Sequence, residues 1–531
     1  MRAEHDFLIL GGGSAGCLLA RRLWEAGKNK VALVESGQAG WLDPRIKIPA
    51  AFVHLYKTRR DYAYFSVPQP NLKNRRLFLP RGRVLGGSGS INAMIYIRGH
   101  RAVYDHWASL GNSGWDYDSV LPYFKRTEKN QRFGEPWHGT QGLLNIADLL
   151  RPHPLSRLFV EAMAEAGIPP REDLNEPETE GAGLHQVNQR QGERHSPARA
   201  FIRELVGRPG FVLLTGHRAL RLVLNETGTE VSGVEVLVGK KKQTLRARKG
   251  YIVSCGAFDT PALLLRSGIG DAEALSAVGI QPIVHLPAVG KNLQDHPYLP
   301  LTMGVKNYTT YDQAETLWNI LSWYVSRSRS LMTTNAAEAG GFWRSSPGLP
   351  QPDIQFHFVP AHFMDHGFVR SRSSGISLCA ILLQPQSRGS VTLNPHDVWG
   401  APLIDPAVFS DSEDLATFQK GVLKCSEVLH GPIFQALASG QDPLPNRFHD
   451  ETSLQEHIRN YTELLYHPAG TCRMGTDPCH SVTSPSLQVH GISNLFVADA
   501  SVMPTISAGN THAPTLMIAE KASELIQKSF S

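Results

Sequence analysis

The first thirty-five residues predict an α/β fold built on a parallel sheet. Residues Phe7–Leu10 form a short, continuous apolar run, which is typical of a strand buried on both faces. A glycine-rich turn and a helical stretch follow, and a second apolar strand at Val31–Val34 ends in Glu35. This strand–helix–strand order is the opening unit of a Rossmann-like domain.

The glycine-rich turn has the pattern G-x-G-x-x-G at Gly11, Gly13 and Gly16. Glycine permits a tight turn, and the start of the helix can then approach a pyrophosphate, whose charge the free N–H groups and the helix dipole stabilise. Glu35 lies nineteen residues after Gly16, where an acid can accept hydrogen bonds from a ribose hydroxyl. A glycine turn without a ligand is the alternative, but the flanking strand, helix and acid favour a dinucleotide site. The motif alone does not separate NAD from FAD.

A second glycine-rich stretch, RGRVLGGSGSINAMIYIRGH at residues 81–100, favours FAD. Gly86, Gly87 and Gly89 have small hydroxyl-bearing neighbours, which indicates a close approach of the backbone to a ligand. A buried flavin ring requires such an approach, whereas nicotinamide enzymes do not need the second loop.

With this stretch, the sequence resembles the glucose–methanol–choline (GMC) oxidoreductases, which are FAD enzymes that oxidise alcohols. Further segments carry the resemblance in the family's order, namely HGTQG, GAFDTPALLLRSGIG, VGKNLQDH and the C-terminal VADASVMPTISAGNTHAPTLMIAEKA. Within the family, the resemblance is closest to the bacterial choline-dehydrogenase-like and aliphatic alcohol dehydrogenases. The segments that point there are SINAMIYIRGH, FKRTEKNQRFG and YHPAGTCRMG.

The resemblance implies two domains made from discontinuous segments. Residues 1–155, 205–305 and 455–531 would form a Rossmann-like FAD-binding domain. Residues 156–204 and 306–454 would form a substrate-binding domain on an antiparallel sheet, which makes the fold α/β with an α+β second domain. Alternating apolar runs within 211–253 and 352–395 predict strands. Residues 306–350 show little periodicity and are interpreted as a loop over the active site.

The resemblance also implies a set of cofactor-binding residues. Asn92–Ile95 would run along the flavin ring, and Asp499 and Ala500 would lie near the pyrophosphate and ribityl chain. Some relatives attach FAD through a histidine at the position of Ile91, so we expect FAD to be bound without a covalent bond. The residues that we expect to bind FAD are Gly11, Gly13, Ser14, Ala15, Gly16, Glu35, Ser36, Arg81, Gly82, Val84, Gly86, Gly87, Ser88, Asn92, Ala93, Met94, Ile95, Ala219, Asp499, Ala500, Asn510 and Thr511.

The stretch LLYHPAGTCRMG at residues 464–475 offers His467 for several kinds of chemistry. Zinc needs three or four convergent ligands, which the neighbouring sequence does not supply, so we expect no metal. A nucleophilic pair with Cys472 needs an orienting group and an acyl-type substrate, and a flavin fold suggests neither. The family motif instead identifies His467 as a base, with Cys472 and Arg473 as structural residues.

A neutral imidazole can take the hydroxyl proton of an alcohol while hydride passes to flavin N5. By the resemblance, Asn510 in AGNTHAPT lies beside this base. Its amide can donate to the substrate oxygen, and because it does not titrate, His467 alone would carry the proton. Leu465 and Tyr466 are predicted either as walls of the substrate pocket or as core residues.

The overall composition excludes several classes of protein. The net charge is +5, with both signs scattered along the chain, and the basic clusters lack interleaved aromatic residues, which argues against nucleic-acid binding. The six cysteines are spread over the whole chain, with only Cys472 and Cys479 close together, and this pattern suits reduced thiols in the cytoplasm. We found neither a secretory signal nor an apolar run long enough to cross a membrane. Peripheral contact with the inner face of the cytoplasmic membrane is implied by the resemblance, and the oligomeric state stays open.

The resemblance implies oxidation of a primary alcohol to an aldehyde, with electrons passed to a quinone or an artificial dye. Three alternatives stay open, namely an alcohol oxidase that uses oxygen, a choline dehydrogenase, and a hydroxynitrile lyase or light-driven fatty-acid decarboxylase on the same fold. Aliphatic alcohols need only an apolar tunnel and are slightly favoured. Choline requires an acid or an aromatic cage, and Glu338 is one acid that such a site could use.

Overall fold

In the computed structural model, the described residues are 5–27, 29–327, 330–369 and 371–530. They form twelve α-helices, numbered α1 to α12 in chain order: Ser14–Glu25, Pro44–Lys47, Arg101–Ser109, Tyr117–Thr127, Pro154–Glu165, Gly256–Arg266, Ala272–Ala277, Leu317–Val325, Ser412–Leu429, Pro432–Leu437, Glu451–Tyr461 and His512–Ser529. Short 3₁₀ segments occur at Pro49–Leu55, Pro70–Leu72, Gly87–Ser90, Tyr311–Gln313, Leu331–Thr333, Asp365–Gly367 and Ala500–Val502, and a π-helical turn occurs at Ala198–Ile202.

The same residues form twenty-five strands, several of them only two residues long. Numbered β1 to β25 in chain order, they are His5–Leu10, Val31–Glu35, Tyr64–Phe65, Phe78–Leu79, Glu128–Asn130, Leu144–Ile146, Gly181–Leu184, Gln189–Arg190, Glu193–Arg194, Phe211–Thr215, His217–Leu224, Val231–Val238, Lys241–Leu245, Ala247–Val253, Ile269–Gly270, Val284–His285, Lys291–Leu293, Pro297–Gly304, Ala339–Trp343, Ile354–Val359, Gly375–Leu382, Gly389–Thr392, Leu403–Asp405, Glu463–Leu464 and Leu495–Val497.

The predicted parallel sheet is confirmed and has five strands in the order β10-β2-β1-β14-β25. All four pairings are parallel, and β1 in the centre is buried on both faces, which explains its unbroken apolar sequence. The chain runs from β1 to β2 and β10 on one side, and returns to β14 on the other. The order of the strands therefore reverses next to β1, and the carboxyl ends of the strands flanking such a reversal are the usual place for a ligand.

The second large sheet is antiparallel and has six strands, in the order β24-β18-β21-β20-β19-β7. Because side chains alternate along a strand, its two faces differ. Leu299, Phe356 and Leu378 face a core that includes residues of α5 and α9. The opposite face carries Tyr298, His357 and Cys379, which line a cavity. His357 and Cys379 are paired across β20 and β21.

The predicted division into domains stays a proposal, and the sheets suggest one adjustment to it. Strand β18 lies inside the predicted segment 205–305, and β24 lies inside 455–531, yet both strands belong to the antiparallel sheet. Each of these two segments therefore contributes strands to both sheets. A boundary just before Pro297 would keep β18 with the sheet to which it belongs.

The segment 306–350, which the sequence predicted to be a loop, contains α8 and β19. Trp323 anchors α8, since its side chain is buried and its Nε1–H donates to the Gly192 carbonyl at 3.0 Å. Most of the other large apolar side chains of α8 are exposed. None of the described helices combines the length and the apolar character that crossing a membrane requires.

A buried ionic cluster fixes the chain that leads away from the second glycine-rich loop. The Arg98 guanidinium donates to Glu128 at 2.5 Å and to the Trp137 carbonyl at 2.6 Å. His138 bridges Glu128 and Asp173, at 3.0 and 2.7 Å. These partners compensate the buried charges and hold the residues after Ile95 in place.

Candidate active site

One long cavity lies along the carboxyl edge of the parallel sheet. Residues at or just after the end of each of the five strands contribute to its wall, namely residues 11, 13–15, 35–36, 217–219, 254–257 and 499–500. The antiparallel sheet closes the far end. The cavity therefore joins the edge where a parallel sheet usually binds a ligand to a face of the second sheet.

The first end of the cavity combines free N–H groups with a buried carboxylate. Helix α1 begins at Ser14 without a side-chain cap, so its first N–H groups are available to an anion. Glu35 accepts hydrogen bonds from the N–H groups of Gly12 at 2.9 Å and Gly37 at 2.6 Å. Burial outweighs these donors and raises the pKa of Glu35 to about 7. The donors suit a pyrophosphate, and the carboxyl group suits ribose hydroxyls, which would add further donors to it.

The two glycine-rich loops are in direct contact in the middle of the cavity. The Gly86 N–H donates to the Gly12 carbonyl at 2.7 Å. Gly87 has a φ of +53°, and a Cβ atom there would lie 2.7 Å from the Gly13 Cα. No larger residue fits at Gly87 without separating the loops, so the backbone itself forms this part of the wall.

Asn92–Ile95 extend the wall beyond the second loop. The Asn92 Oδ1 accepts hydrogen bonds from Arg194 at 2.8 Å and from the Met94 N–H at 3.1 Å. Asn335 donates to the Ala93 carbonyl at 3.0 Å. Met94 is fully buried in the left-handed region with a φ of +61°, a strain that this surrounding network holds in place.

Asp499 fixes the wall at the carboxyl ends of β14 and β25. Its carboxylate accepts hydrogen bonds from the Gly256 N–H at 2.8 Å, the Thr260 hydroxyl at 2.6 Å and the Ser501 N–H at 2.8 Å. The side chain is thus engaged inside the protein, where it joins α6 to the turn after β25. Asp499 therefore positions the backbone of residues 256 and 501 beside the cavity.

His467 and Asn510 meet at the far end of the cavity, although forty-three residues separate them in the sequence. The His467 Nε2 lies 3.3 Å from the Asn510 Nδ2. Gln355 on β20 donates to the Asn510 Oδ1 at 3.2 Å, which turns the Asn510 amide N–H groups toward His467. An acceptor nitrogen and an amide donor therefore face the same space.

The electrostatic environment keeps His467 neutral. Burial is the largest effect that lowers its pKa well below the usual range, and His296, His357 and Arg81 act in the same direction. The Arg81 guanidinium is partly buried and donates to the Tyr466 carbonyl. Asp295 is buried and accepts a hydrogen bond from the backbone N–H of His467 at 2.8 Å. A neutral imidazole can accept a proton, so this environment suits a base.

The cavity brings together most of the residues that the sequence predicted. The predicted residues that line the cavity are Gly11, Gly13, Ser14, Ala15, Glu35, Ser36, Arg81, Gly82, Gly87, Ser88, Asn92, Ala93, Met94, Ile95, Ala219, Leu465, Tyr466, His467, Asp499, Ala500, Asn510 and Thr511. Gly16, Val84 and Gly86 lie behind the wall and do not line it. A Cβ on Gly16 would lie 1.9 Å from the Gly11 carbonyl oxygen, so Gly16 permits the turn and does not contact a ligand.

The sequence did not assign a role to His296, Gln355 or His357, which surround His467 and Asn510. His296 lies in VGKNLQDH, a segment that contributed only to the resemblance. Gln355 and His357 occupy alternate positions in the strand IQFHFV. Two polar residues on one face of an otherwise apolar strand are a signal that the second face of this strand lines a site.

Apolar and aromatic side chains line the space beside His467, among them Phe52, Tyr56, Tyr298 and Phe363. Leu465 and Tyr466 also line it, and the Tyr466 hydroxyl contacts the ring of His366. Among the described lining residues, the acids are Glu35, Asp259 and Asp499, and each of them is engaged at another part of the cavity.

Glu338, the acid considered for binding a cationic substrate, lies outside the cavity wall. It is fully buried and accepts hydrogen bonds from the His153 N–H and the side chains of Ser156, Tyr311 and Thr334, at 2.6 to 2.8 Å. Four donors already satisfy this carboxylate, so the interpretation of Glu338 as a substrate ligand is wrong.

The surroundings of His467 support neither a zinc site nor a nucleophilic pair with Cys472. The described residues contain no group of three or more histidine, cysteine, aspartate or glutamate side chains that could hold a metal ion. Cys472 is a free thiol with no exposed surface, and burial raises its pKa well above the usual range. A protonated, buried thiol is a poor nucleophile.

Models of one family, the GMC oxidoreductases, match residues 5–298 and 385–519. The chain is 39% identical to the alcohol dehydrogenase [acceptor] of Pseudomonas putida, over 98% of this chain and 95% of that protein. It is 37% identical to an oxygen-dependent choline dehydrogenase of Rhizobium etli, with the same coverage. Among solved structures, a pyridoxine 4-oxidase from Mesorbium loti has a TM-score of 0.88 at 32% identity, and covers 98% of both chains. A formate oxidase from Aspergillus oryzae, studied for FAD modification, has a TM-score of 0.92 at 26% identity, over 99% of this chain and 98% of that chain.

Substitution of Gly87 by alanine should remove bound FAD. The added Cβ would strike Gly13 and force the two glycine-rich loops apart. The control is Gly207→Ala, because Gly207 also has a positive φ, +84°, but a Cβ there meets no atom within 4 Å. Both variants carry a left-handed strain of about 1 kcal/mol, and only Gly87→Ala adds the clash with Gly13. Only Gly87→Ala should lose most of its flavin absorbance after purification, and full FAD content in that variant would contradict the proposed contact.

Proposed function

Because the chain belongs to the GMC oxidoreductase family, we propose that it oxidises a primary alcohol to an aldehyde and passes the electrons to a quinone-type acceptor. The chain is a flavoprotein oxidoreductase, and FAD is its cofactor. The donors at α1, the acid at Glu35 and the backbone wall at Gly87 fit this cofactor. Ile91 in the wall carries only hydrocarbon, which supports binding without a covalent bond at that position.

The observation that carries the proposal is the pair formed by His467 and Asn510, 3.3 Å apart at the end of the cofactor cavity. In the proposed reaction, the His467 Nε2 takes the hydroxyl proton of the alcohol. The Asn510 amide donates a hydrogen bond to the substrate oxygen as negative charge develops there. Bound FAD supplies the acceptor for the hydride that leaves the carbon.

The proposed cofactor-binding residues are those predicted from the sequence that line the cavity. Gly11, Gly13, Ser14, Ala15 and Glu35 would hold the dinucleotide portion. Arg81, Gly82, Gly87 and Ser88, with Asn92–Ile95, would border the flavin. Helix α12 supports this arrangement, since it begins at His512 without a side-chain cap. Its free N–H groups would favour negative charge on the flavin.

An aliphatic alcohol is the substrate that the cavity favours. The space beside His467 is bounded by apolar and aromatic side chains, and the acids that line the described cavity are engaged elsewhere. A quaternary ammonium group would then depend on aromatic faces alone, without a carboxylate partner. Choline is therefore the second candidate.

Loss of His467 should abolish turnover while FAD stays bound. We expect His467→Ala to lower the rate of anaerobic flavin reduction by an alcohol by about 10³-fold or more, because general-base catalysis is lost. Asn510→Ala should cost about 10²-fold, as one oxyanion donor is lost. Stopped-flow absorbance measures both rates, and His480→Ala, whose ring is exposed, is the matched histidine control. A rate within tenfold of the native rate in His467→Ala would refute the base assignment.

A substrate series should separate the remaining alternatives. Under anaerobic conditions, we expect 1-octanol to reduce the flavin more efficiently than 1-butanol, and choline to be the poorest. Each additional buried methylene contributes about 0.8 kcal/mol, or about fourfold in kcat/KM, until the chain leaves the pocket. Reoxidation of the reduced protein should be faster with a soluble quinone than with oxygen. Preference for choline would favour the choline dehydrogenase alternative, and rapid reaction with oxygen would favour the oxidase. A flavin that stays oxidised would favour the lyase.

We also propose that α8 attaches the protein to a membrane surface. Leu317, Trp318, Leu321, Tyr324 and Val325 are 50–88% exposed, and α8 contains no charged residue. Tryptophan and tyrosine favour the level of the lipid headgroups, and a helix with an exposed apolar face can insert into the interface. A quinone and a long-chain alcohol would both be concentrated in the membrane that such a helix contacts.

Vesicle sedimentation tests this attachment. The native protein should sediment with vesicles of phosphatidylethanolamine and phosphatidylglycerol, whereas a Leu317→Ser, Trp318→Ser, Leu321→Ser variant should stay in the supernatant. The variant should keep the native rate of flavin reduction by alcohol. Leu42→Ser, at an isolated side chain that is 91% exposed, is the control. Failure of the native protein to bind, or equal binding by the triple variant, would exclude α8 as the contact.

A further inference from the structure

A second histidine stands directly behind His467. His296 immediately precedes β18, and its side chain has no exposed surface. Its Nδ1 lies 3.0 Å from the Nδ1 of His467, with the two rings nearly perpendicular, at 88°. Its Nε2 lies 3.1 Å from the carbonyl oxygen of Leu383.

The hydrogen bonds of His296 determine where its proton is. The Leu383 carbonyl can only accept, so the His296 Nε2 must carry hydrogen, because two lone pairs would otherwise face each other at 3.1 Å. A charged His296 would be buried without a carboxylate partner, and burial lowers its pKa to about 3. His296 is therefore neutral, and its Nδ1 carries a lone pair.

That lone pair in turn determines the proton of His467. Because the His296 Nδ1 can only accept, the His467 Nδ1 must carry the hydrogen that the two atoms share at 3.0 Å. A neutral imidazole holds one such hydrogen, so the His467 Nε2 is left with a lone pair. This is the nitrogen that faces Asn510 and the cavity.

We propose that His296 is a positioning residue that fixes His467 in the tautomer with hydrogen on Nδ1, and so keeps Nε2 free to take the substrate proton. The proposal rests on the proposed function of His467 as a base. In the reaction, the alcohol O–H bond breaks and an N–H bond forms at the His467 Nε2, while the hydride leaves the carbon for the flavin. His467 becomes an imidazolium whose Nδ1–H is still donated to His296.

The backbone reinforces the arrangement of the two rings. The Asp295 Oδ1 accepts hydrogen bonds from the backbone N–H groups of His296 and His467, both at 2.8 Å. One carboxylate oxygen thus ties together two residues that are 171 positions apart in the sequence. Asp295 fixes the distance between the rings, and His296 fixes the proton.

The first test uses two substitutions with opposite hydrogen-bonding ability. Glutamine at 296 can accept from the His467 Nδ1–H and donate to Leu383, whereas leucine can do neither. In the holoenzyme, we expect His296→Leu to lower the rate of anaerobic flavin reduction at saturating alcohol by about 10²-fold, because a wrongly held tautomer removes the general base. His296→Gln should recover most of that rate, and the Kd for the alcohol should change little in either variant.

A double-mutant cycle separates positioning from a purely structural effect. In the His467→Ala background, His296→Leu should produce no further loss of rate, because the ring that it positions is gone. Flavin content and melting temperature are recorded for every variant. Equal losses in both backgrounds, or glutamine no better than leucine in folded protein that retains FAD, would overturn the proposal.

A spectroscopic measurement tests the tautomer without relying on activity. In protein labelled with ¹⁵N-histidine, the His467 signals are assigned by their absence in His467→Ala. We expect a protonated Nδ1 and an unprotonated Nε2 in the native protein and in His296→Gln, and a change of this pattern in His296→Leu. A protonated Nε2 in the native protein would refute the proposal, even if His467 is essential. Full turnover in His467→Ala would instead refute the proposed function.

Discussion

The contact between the two glycine-rich loops is the constraint on which the cavity depends. The Gly86 N–H reaches the Gly12 carbonyl at 2.7 Å, and the absence of a side chain at Gly87 lets its backbone lie against Gly13. This contact ties the wall after Arg81 to the start of α1, far away in the sequence. The N–H groups suited to an anion and the apolar end beside His467 consequently belong to one continuous space.

At the apolar end, neutral groups orient the side chains of His467 and Asn510, while the Asp295 carboxylate holds the backbone of His467. Carbonyl and amide groups supply the hydrogen bonds, as the contacts of Leu383 with His296 and of Gln355 with Asn510 illustrate. In a region sheltered from water, such neutral hydrogen bonds are strong, and an unpaired charge is costly. The same burial that keeps His467 unprotonated makes each of these neutral partners effective in orienting it.

The sequence predicted the parts of the fold that depend on local pattern. The apolar runs predicted β1 and β2, and the glycine spacing predicted the turn before α1. His296 and Gln355 could not be assigned, because their contacts with His467 and Asn510 arise only when β18 and β20 pack beside the C-terminal segment. The error at Glu338 has the same origin, since its donors come from separate segments of the chain. Helix α8 was missed because only Asn319 and Ser322 interrupt its apolar sequence, which is too little polarity to mark one face of a helix of nine residues.

Each of the two sheets meets a different structural requirement: one provides backbone groups for the cofactor, and the other provides side chains for the substrate pocket. The parallel sheet presents backbone N–H groups and turns at its carboxyl edge, where nearly every position is constrained by the loops in contact. The antiparallel sheet presents alternate side chains of β18, β20 and β21 to the cavity, while the intervening side chains pack against α5 and α9. Tyr298 and Cys379 belong to a small buried cluster on the cavity side of the sheet, separate from the hydrophobic core between the sheet and these helices. His467 lies on a segment that connects the two sheets, and Asp295 and His296 hold it in place. The position of the proposed base therefore does not depend on which side chains form the walls of the substrate pocket.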